Sequence, residues 1–499
     1  MKNHRLAGVE IVLGMVCVTA SYATTRYVDV SNAAPAAPYT SWATAAAAIQ
    51  PAIAVAASGD EVLVAPGMYL LSGSAVQIPI DKTLTLKSTQ SRAAVIDAQG
   101  LSQGLLVYGT NSLVEGFTVR NGRRSFGYGG GIEISRTAVV RDCLVTNNWS
   151  SSGGGIMVDG EATNALVEDC TIAGNVATNG PGGGIVLYNN SYARINRCVV
   201  TGNLAATYGG GIWIQEGGSV SNCQIIRNEA IGEGGGGIYM ANEGSTNPAM
   251  VVNCVIAGNH AVQYGGGIRS SGPAGTLSPV VNCTIVSNVA GNSGGGAFAY
   301  TTRFVNDILY FNSAPGIANL DAHDTVSSCI VSNCCTTSNY FWPNITNAPA
   351  FVDAGAWDFR LATASFCIDA GTTNGAPQTD IDGNPRPRQG KPGMVSTNCD
   401  MGAYEYGFHF NDIRSVAANV LQFKWDVQDR GIYRLQAATN VATDPLHPYW
   451  EPVLAHTNAG MAAGQFQVHT QEVTAPGAMP EHLLFRMLIS HTPAKRRAP

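Results

Sequence analysis

The sequence predicts an all-β fold: a right-handed parallel β-helix with a short N-terminal capping helix and a small C-terminal β-sandwich. Two repeating columns of residues predict it. In the first, a run of glycines precedes an apolar residue every 24–30 residues, with its last glycine at Gly131, Gly155, Gly184, Gly211, Gly237, Gly267 and Gly296. In the second, a cysteine follows Val or Ile by three residues and precedes Asn by five, at Cys143, Cys170, Cys198, Cys223, Cys254 and Cys283.

A unit of this length cannot bury its own apolar side, but a stack of such units can. Parallel crossovers are right-handed in nearly all proteins, so the stack forms a right-handed β-helix. We interpret the glycine, asparagine and Val/Ile columns as architecture. Glycine permits bends where a Cβ would clash. Asparagine tolerates left-handed turns, and its amide can bond the backbone or the next asparagine of the stack.

The cysteine column is in phase with the apolar column, which indicates thiols that point inward as small hydrophobic groups. Stacked strands also bring the Cα atoms within disulfide range, and exported proteins usually oxidise their cysteines. Because parallel Cβ vectors make the disulfide torsion awkward, we predict buried free thiols. Asp307 occupies the cysteine position of the next coil and marks a change to polar character. The cysteine spacing is not that of a zinc site.

The start of the chain predicts export. Lys2 and Arg5 precede a mostly apolar stretch and a small-residue cleavage site at Ser21–Ala23. We therefore predict that residues 1–23 are a signal peptide and that the protein is secreted or lies at the cell surface. The alternative is an uncleaved start of a cytosolic protein.

Three further regions complete the predicted organisation. Residues 42–57 are rich in alanine and carry Ile49 and Ile53, which predicts a short helix that covers the otherwise exposed first coil. The β-helix is expected over residues 24–335. Strand-like runs between residues 410 and 490, at Leu421–Trp425, Tyr433–Ala437 and Leu483–Ile489, predict the small C-terminal module.

Composition excludes several classes of function. The 499 residues include 28 Lys and Arg against 34 Asp and Glu, a formal net charge of -6, without the clustered basic residues that a nucleic-acid-binding protein needs. Hydrophobic residues make up 45% of the chain, enough for a large core. After the predicted signal peptide, no stretch reaches the ~18 apolar residues of a transmembrane helix.

The first coils carry a family resemblance. The stretches Tyr27–Val30, Ser41–Thr44, Gly59–Val62 and Pro66–Tyr69 resemble the start of exported right-handed β-helix proteins of the pectate-lyase-like superfamily. The repeat is also similar to that of polymorphic outer-membrane proteins, which are surface adhesins on the same fold. Two of its clearest copies are Ile172–Ala177 and Val200–Ala205. These resemblances cover residues 24–335 and imply fold more strongly than function.

A second resemblance covers residues 349–406. The stretches Phe351–Asp353, Cys367–Gly371, Thr379–Arg386 and Asp400–Glu405 resemble the choice-of-anchor Q domain, which follows exported β-helices. This resemblance implies a protein directed to the cell surface. The C-terminal runs are similar to small β-sandwich modules of exported bacterial proteins.

Outward positions after each glycine run are the candidate ligand-binding residues. Aromatic rings outside a core suit the flat faces of sugars, and acidic and Arg side chains suit hydroxyl or uronate groups. The candidates are Tyr188, Trp213, Glu216, Tyr239, Arg269, Phe298 and Tyr300. Exposed apolar strips usually mark binding sites. The alternative is that loops of neighbouring coils cover these rings.

Two pairs of acidic residues are candidates for other chemistry. Glu133 and Asp159 are expected on adjacent coils with Cα atoms ~8 Å apart, which is compatible with an inverting glycosidase pair. Acidic side chains on a solvated sheet face are the alternative. Asp380 and Asp382 resemble a Ca²⁺-binding loop in their density of oxygen atoms, and a turn held by Asx hydrogen bonds is the alternative.

Three functions follow from these observations. The first is an exported, surface-associated protein that recognises a polysaccharide or cell-surface glycan on the aromatic face. The second is an adhesin or structural solenoid that contacts proteins, outer-membrane components or other cells. The third is a polysaccharide lyase or glycoside hydrolase.

Overall fold

The chain from Thr25 to Thr336 winds into a right-handed parallel β-helix, which confirms the predicted fold. The computed structural model describes residues 23–160, 162–189, 192–242, 247–273, 276–322, 329–337, 343–387 and 398–406, and the backbone of six strands between residues 410 and 490. Each full coil passes through four parallel sheets, which we name A, B, D and C in chain order.

Sheets A and B form two adjoining walls of the β-helix. The strands of sheet A are Thr25–Val28, Glu61–Val64, Thr85–Ser88, Ser112–Glu115, Ala138–Arg141, Leu166–Glu168, Arg194–Asn196, Ser219–Ser221, Met250–Val252, Ser278–Val281, Thr302–Val305 and Cys329–Ser332. The strands of sheet B are Gly67–Leu70, Ala94–Asp97, Phe117–Arg120, Leu144–Thr146, Thr171–Ala173, Val199–Thr201, Gln224–Ile226, Val255–Ala257, Thr284–Val286, Ile308–Tyr310 and Cys335–Thr336.

Sheets D and C complete each coil. The strands of sheet D are Arg123–Tyr128, Trp149–Ser152, Val176–Ala177, Leu204–Ala205, Glu229–Ala230, His260–Ala261 and Val289–Ala290. The strands of sheet C are Val76–Ile78, Leu105–Val107, Ile132–Ile134, Ile156–Val158, Ile185–Leu187, Ile212–Ile214, Ile238–Ala241, Ile268–Ser271, Ala297–Ala299 and Leu320–Ala322. Partners pair in register, so that Ile185 faces Ile212 and Ile212 faces Ile238.

A short helix covers the first coil, as the sequence predicts. It spans Ile49–Val55, and a 3-10 turn precedes it at Trp42–Thr44, so the helical part is shorter than the predicted 42–57. Ile49 and Ile53 are buried in the apolar core, and Gln50 exchanges hydrogen bonds with the backbone of Gln77. The helix therefore buries the open end of the stack.

The cysteine column lies inside the β-helix, which confirms the predicted orientation of the thiols. The six repeat cysteines are at most 1% exposed, and the cysteines within the described part of the chain are unpaired. Asp307 continues the column as a fully buried carboxyl group that accepts hydrogen bonds from Cys283 N at 2.7 Å and Val305 N at 3.0 Å. Burial, together with the neighbouring Cys283, raises the pKa of Asp307 well above its usual value.

The asparagine column forms a buried ladder, as predicted. Asn175 Nδ2 donates to Asn203 Oδ1 at 2.9 Å, and Asn203 Nδ2 repeats this bond to Asn228. The left-handed geometry, however, belongs to the residue before each asparagine, such as Gly202 with φ 62. Each asparagine of the column can therefore use both the oxygen and the nitrogen of its side-chain amide for hydrogen bonds between coils.

The glycine runs are required by close backbone approach. In the run that ends at Gly211, Gly209 has φ 61, which L side chains rarely adopt. A Cβ at Gly211 would lie 2.6 Å from Gly237 O and 3.0 Å from Asn228 Nδ2. Glycine at these positions thus lets the ladder and the next coil approach.

The described residues of segment 349–406, namely 349–387 and 398–406, pack on the outer side of sheet B at the C-terminal coils. The hairpin Phe351–Asp353 and Asp358–Leu361 is antiparallel. Phe359 and Met401 share an apolar cluster with Ile308 of sheet B. Arg386 and Glu405 form an ion pair at 3.6 Å with fully buried side chains.

The C-terminal strands form two antiparallel sheets of three. One contains Phe410–Ala417, Val420–Val427 and Gln467–Thr474; the other contains Ile432–Ala438, Trp450–Thr457 and Leu484–Ser490. These strands include most of the runs that the sequence predicts. The predicted signal peptide, up to residue 22, lies outside the described residues. Within the described residues, none of the helices has the length and apolar character needed to cross a membrane.

Candidate functional site

The outer face of sheet C carries the predicted ligand-binding residues. The strand register places Trp213 beside Val186 and Tyr239, and Tyr239 beside Arg269, in one outward column. Tyr188 follows Leu187 and lies beside this column. The sequence therefore located the shared surface, and neighbouring side chains decide how much of it is exposed.

A second layer of tyrosines covers part of this face. The ring of Tyr208 stacks on Tyr239 with centroids 4.7 Å apart, and Tyr264 lies on Phe298 at 4.6 Å. Tyr239 is only 7% exposed and Phe298 only 4%. The expectation that these two rings form an open binding face is therefore wrong, and the alternative of covered packing holds for them.

The tyrosines that cover this face can be recognised in the sequence by their position before the glycine runs, whereas the predicted binding residues all lie after those runs. Tyr208 and Tyr264 each stand directly before a glycine run. The first glycine of each run, Gly209 or Gly265, has positive φ and turns the chain sharply into sheet C. The preceding tyrosine is thereby folded back over the outward residue of its own or the next coil.

Arg269 is held within the covered part. Its guanidinium lies 5.4–5.7 Å from the ring centres of Tyr208, Tyr239 and Tyr264. It also donates to Glu233 O at 2.7 Å and to Glu233 Oε2 at 3.3 Å. With 13% of its side chain exposed, Arg269 joins the three rings by cation–π contacts and is already paired.

Three partly exposed rings follow one another on this face, and we call them the aromatic row: Tyr128, Tyr188 and Trp213. Their centroids are 5.5 Å apart between Tyr128 and Tyr188 and 6.0 Å apart between Tyr188 and Trp213. Tyr128 is 40% exposed, and the other two are half-buried. Burial, followed by contact with Tyr188, raises the pKa of Tyr128. Sequence reasoning missed Tyr128 because it precedes the glycine run.

The remaining predicted binding residues lie beside or beyond this row. Glu216 is half-buried and follows the strand that carries Trp213. Tyr300 is half-buried and meets Phe298 edge to face at 5.5 Å. It therefore contacts the covered ring of Phe298 and lies three coils beyond Trp213, apart from the aromatic row.

Glu133 is the centre of a polar cluster beside the aromatic row. Glu133 Oε2 accepts from Arg124 Nη1 at 2.5 Å and from Gln103 Nε2 at 2.9 Å. The hydroxyl of Tyr108 donates to Glu133 Oε1 at 3.4 Å. Burial and the charge of Glu133 raise the pKa of Tyr108. Arg124 Nη1 also donates to Tyr128 O at 3.1 Å, which connects the cluster to the row.

Glu133 and Asp159 lie on adjacent coils, as predicted. Glu133 pairs with Met157, two residues before Asp159. Asp159 is half-buried, and Asp159 Oδ1 accepts from Gly160 N at 2.6 Å. Asp159 follows Val158, the partner of Leu187, so it lies one coil before Tyr188. The Arg124 ion pair occupies one oxygen of Glu133.

The predicted calcium residues are occupied by internal bonds. Asp380 Oδ1 accepts from Asp382 N and Asn384 N, and Asp380 Oδ2 accepts from Asn384 Nδ2 and Glu405 N, at 2.7–3.0 Å. Asp382 pairs with Arg360 at 2.7 Å. Across the described ranges, no group of three His, Cys, Asp or Glu side chains is placed to hold a metal ion. These residues do not fit a calcium ion as they stand.

Comparison with known proteins agrees with the geometry. The family described as the right-handed β-helix region matches residues 103–288, the part that contains the glycine, cysteine and asparagine columns. The chain has the right-handed β-helix fold. A search of curated protein sequences finds no significant match.

Two solved structures are similar to this β-helix. The crystal structure of pectate lyase Pel9A superposes with a TM-score of 0.50 at 16% identity, over 78% of this chain and 97% of that one. A PL6 family polysaccharide lyase from Pseudopedobacter saltans matches with a TM-score of 0.35 at 15% identity, over 60% of this chain and 85% of that one. At 16% identity, the likeness to pectate lyase Pel9A concerns the fold alone.

Proposed function

We propose that this protein binds polysaccharide on the aromatic row. The observation that supports this most is that Tyr128, Tyr188 and Trp213 stay partly exposed while their counterparts Tyr239 and Phe298 are covered. Partly exposed neighbouring rings on a rigid sheet are an apolar surface that a ligand can cover. The pectate lyase Pel9A, which is similar in fold, is named for its action on a polysaccharide, which fits the proposal.

The polar groups around the row suit a saccharide. Ring faces can pack against the C–H face of a sugar, and a small number of fixed polar groups orient the ligand. Asp159, Gln103 and the Arg124–Glu133 pair supply both donors and acceptors beside the rings. Because the three rings are in contact through centroids 5.5 and 6.0 Å apart, one extended saccharide can cover more than one ring.

Binding of the full chain to polygalacturonate, as an acidic polysaccharide, and to a soluble glucan, as a neutral one, tests the proposal by titration calorimetry. We expect Tyr188→Ala and Trp213→Ala each to weaken binding about tenfold, or ~1.4 kcal/mol. The matched control is Phe366→Ala, because Phe366 is 61% exposed and belongs to segment 349–406. Equal affinity for all three variants, or no binding to either polymer, would overturn the proposal.

A second proposal concerns location: the chain is exported and associated with the cell surface. The pattern of residues 1–23 and the resemblance of residues 349–406 to an anchor-associated domain support it. Fractionation of producing cells and N-terminal sequencing test it, with an expected mature start at Thr24. Cytosolic protein that retains Met1 would contradict it.

Catalysis is a second candidate function, favoured by the placement of Glu133 and Asp159 on adjacent coils beside the row. Hydrolysis by such a pair requires one carboxyl to donate a proton and the other to activate water. Release of reducing ends or unsaturated products from the same two polymers tests it. Glu133→Gln and Asp159→Asn should abolish release, whereas Asp81→Asn, at an exposed acid outside the candidate site, should retain it. Binding of either polymer without release of any product would indicate a binding protein and contradict catalysis.

A further inference from the structure

Cys335 and Cys367 meet where segment 349–406 packs on sheet B. Cys335 pairs with Ile308 on the preceding strand of that sheet. The carbonyl oxygen of Cys367 accepts a hydrogen bond from Met401 N at 3.0 Å, and Gly402, the next residue, packs closely on Ile308. Ile308 therefore has both cysteine-bearing stretches as neighbours.

The two thiol groups are neighbours: interaction with the Cys367 thiol, together with burial, raises the pKa of Cys335. Both side chains are fully buried and share one apolar cluster with Ile308 and Phe359. Cys335 Sγ also donates to Asn347 O at 3.2 Å, so this thiol points outward from the β-helix toward the segment. Its neighbour Cys334 belongs to the inward column instead.

This pair differs from the cysteines of the inward column. Those cysteines stand directly before parallel strands in register, for example Cys198 before Val199 and Cys223 before Gln224, so that their Cβ vectors run parallel and the disulfide torsion is unfavourable. Cys335 lies on a strand of sheet B, whereas Cys367 lies in the segment that packs over that strand. Strand register therefore does not force the Cβ vectors of Cys335 and Cys367 to run parallel.

We propose that Cys335 and Cys367 form a disulfide bond that fastens segment 349–406 to the β-helix. Each thiol loses its proton, the two sulfur atoms form one S–S bond, and the two electrons reduce a disulfide oxidant such as oxidised glutathione to two thiols. The bond closes a loop of the unfolded chain and so stabilises the folded protein. This modification is independent of what the aromatic row binds.

Disulfide mapping of the full chain tests the proposal. The protein is incubated in a buffer of oxidised and reduced glutathione, unfolded, alkylated and digested for mass spectrometry. We expect one peptide pair linked through Cys335 and Cys367, lighter by two hydrogen atoms than the separate peptides. The peptides with Cys198 and Cys223 should be alkylated, which provides an internal control. We also expect a higher unfolding midpoint in this buffer than in dithiothreitol.

Two variants separate the bond from general effects of oxidation. Cys367→Ser should remove the linked peptide and the difference in midpoint, whereas Cys399→Ser, which also alters a buried thiol of the segment, should keep both. If a variant fails to fold, the mapping of the unaltered chain decides. Complete alkylation of Cys335 and Cys367 after oxidation, or their linkage to other cysteines, overturns the proposal.

Discussion

Asn306 and Thr372 exchange two hydrogen bonds: Asn306 Nδ2 donates to Thr372 O, and Thr372 N donates to Asn306 Oδ1, both at 2.8 Å. Asn306 is also a left-handed corner of the β-helix, with φ 60. One residue thus turns the coil and holds segment 349–406. Asn282, the corner one coil earlier, donates to Asp400 O at 3.0 Å in the same way.

Loss of the two hydrogen bonds between Asn306 and Thr372 should weaken the packing of segment 349–406 on the β-helix. We expect Asn306→Ala to lower the free energy of unfolding by about 2–4 kcal/mol, because buried partners on both sides lose their bonds. Asn111→Ala is the matched control, since Asn111 also has positive φ but is exposed. Urea unfolding measures both. A similar loss in the two variants would show that only the turn matters.

Two glycines with the same backbone geometry give a test of packing under the segment. Gly258 and Gly202 have φ 61 and 62. A Cβ at Gly258 would lie 2.3 Å from Trp357 Cη2, whereas a Cβ at Gly202 would have no heavy atom within 4 Å. Alanine should cost about 1–2 kcal/mol at both sites through its backbone. Gly258→Ala should cost about 1–3 kcal/mol more because Trp357 must move. Equal midpoints in thermal unfolding would contradict this packing.

The asparagine ladder should be sensitive to a single break. Asn203 accepts from Asn175 N and Asn175 Nδ2 and donates to Ile172 O and Asn228 Oδ1, all at 2.9 Å. We expect Asn203→Ala to destabilise the protein by about 3–5 kcal/mol, since several buried groups lose partners. The exposed Asn179→Ala should change stability little. Urea unfolding curves that coincide would refute the structural role of the ladder.

Stability should fall as the pH rises from about 4.5 to 7. Burial, partly offset by Arg386, raises the pKa of Glu405 from 4.5 to about 7. In this window the unfolded chain loses the proton while the folded protein keeps it, so each pH unit costs up to ~1.4 kcal/mol. Glu405→Gln should flatten this part of the curve. Denaturant unfolding at several pH values measures it, and stability that rises over this range in the unaltered chain would contradict the assignment.

Calcium removal should leave stability unchanged. A calcium ion at Asp380 would have to displace four N–H donors, and one at Asp382 would have to displace Arg360. We therefore expect the same unfolding midpoint in EDTA and in millimolar Ca²⁺. A midpoint that rises with Ca²⁺ and loses this response in Asp380→Asn would instead establish the calcium site that the sequence leaves open.

The repeated columns were sufficient to predict the β-helix. Each residue of a column has its own counterpart one coil away, so the stacking of Cys198 on Cys223 or Asn203 on Asn228 follows from spacing alone. The same reasoning located the outer face of sheet C and the adjacent coils of Glu133 and Asp159. For these features, sequence order and spatial order coincide.

Tertiary structure alone decided which rings stay open and where segment 349–406 lies. Tyr208 covers Tyr239 because a glycine turn folds it back over the sheet, and Asn306 meets Thr372 across 66 intervening sequence steps. Such contacts join residues outside the repeat, whose separation along the chain follows no period. Their positions depend on how side chains of different size pack together, which a one-dimensional pattern does not contain.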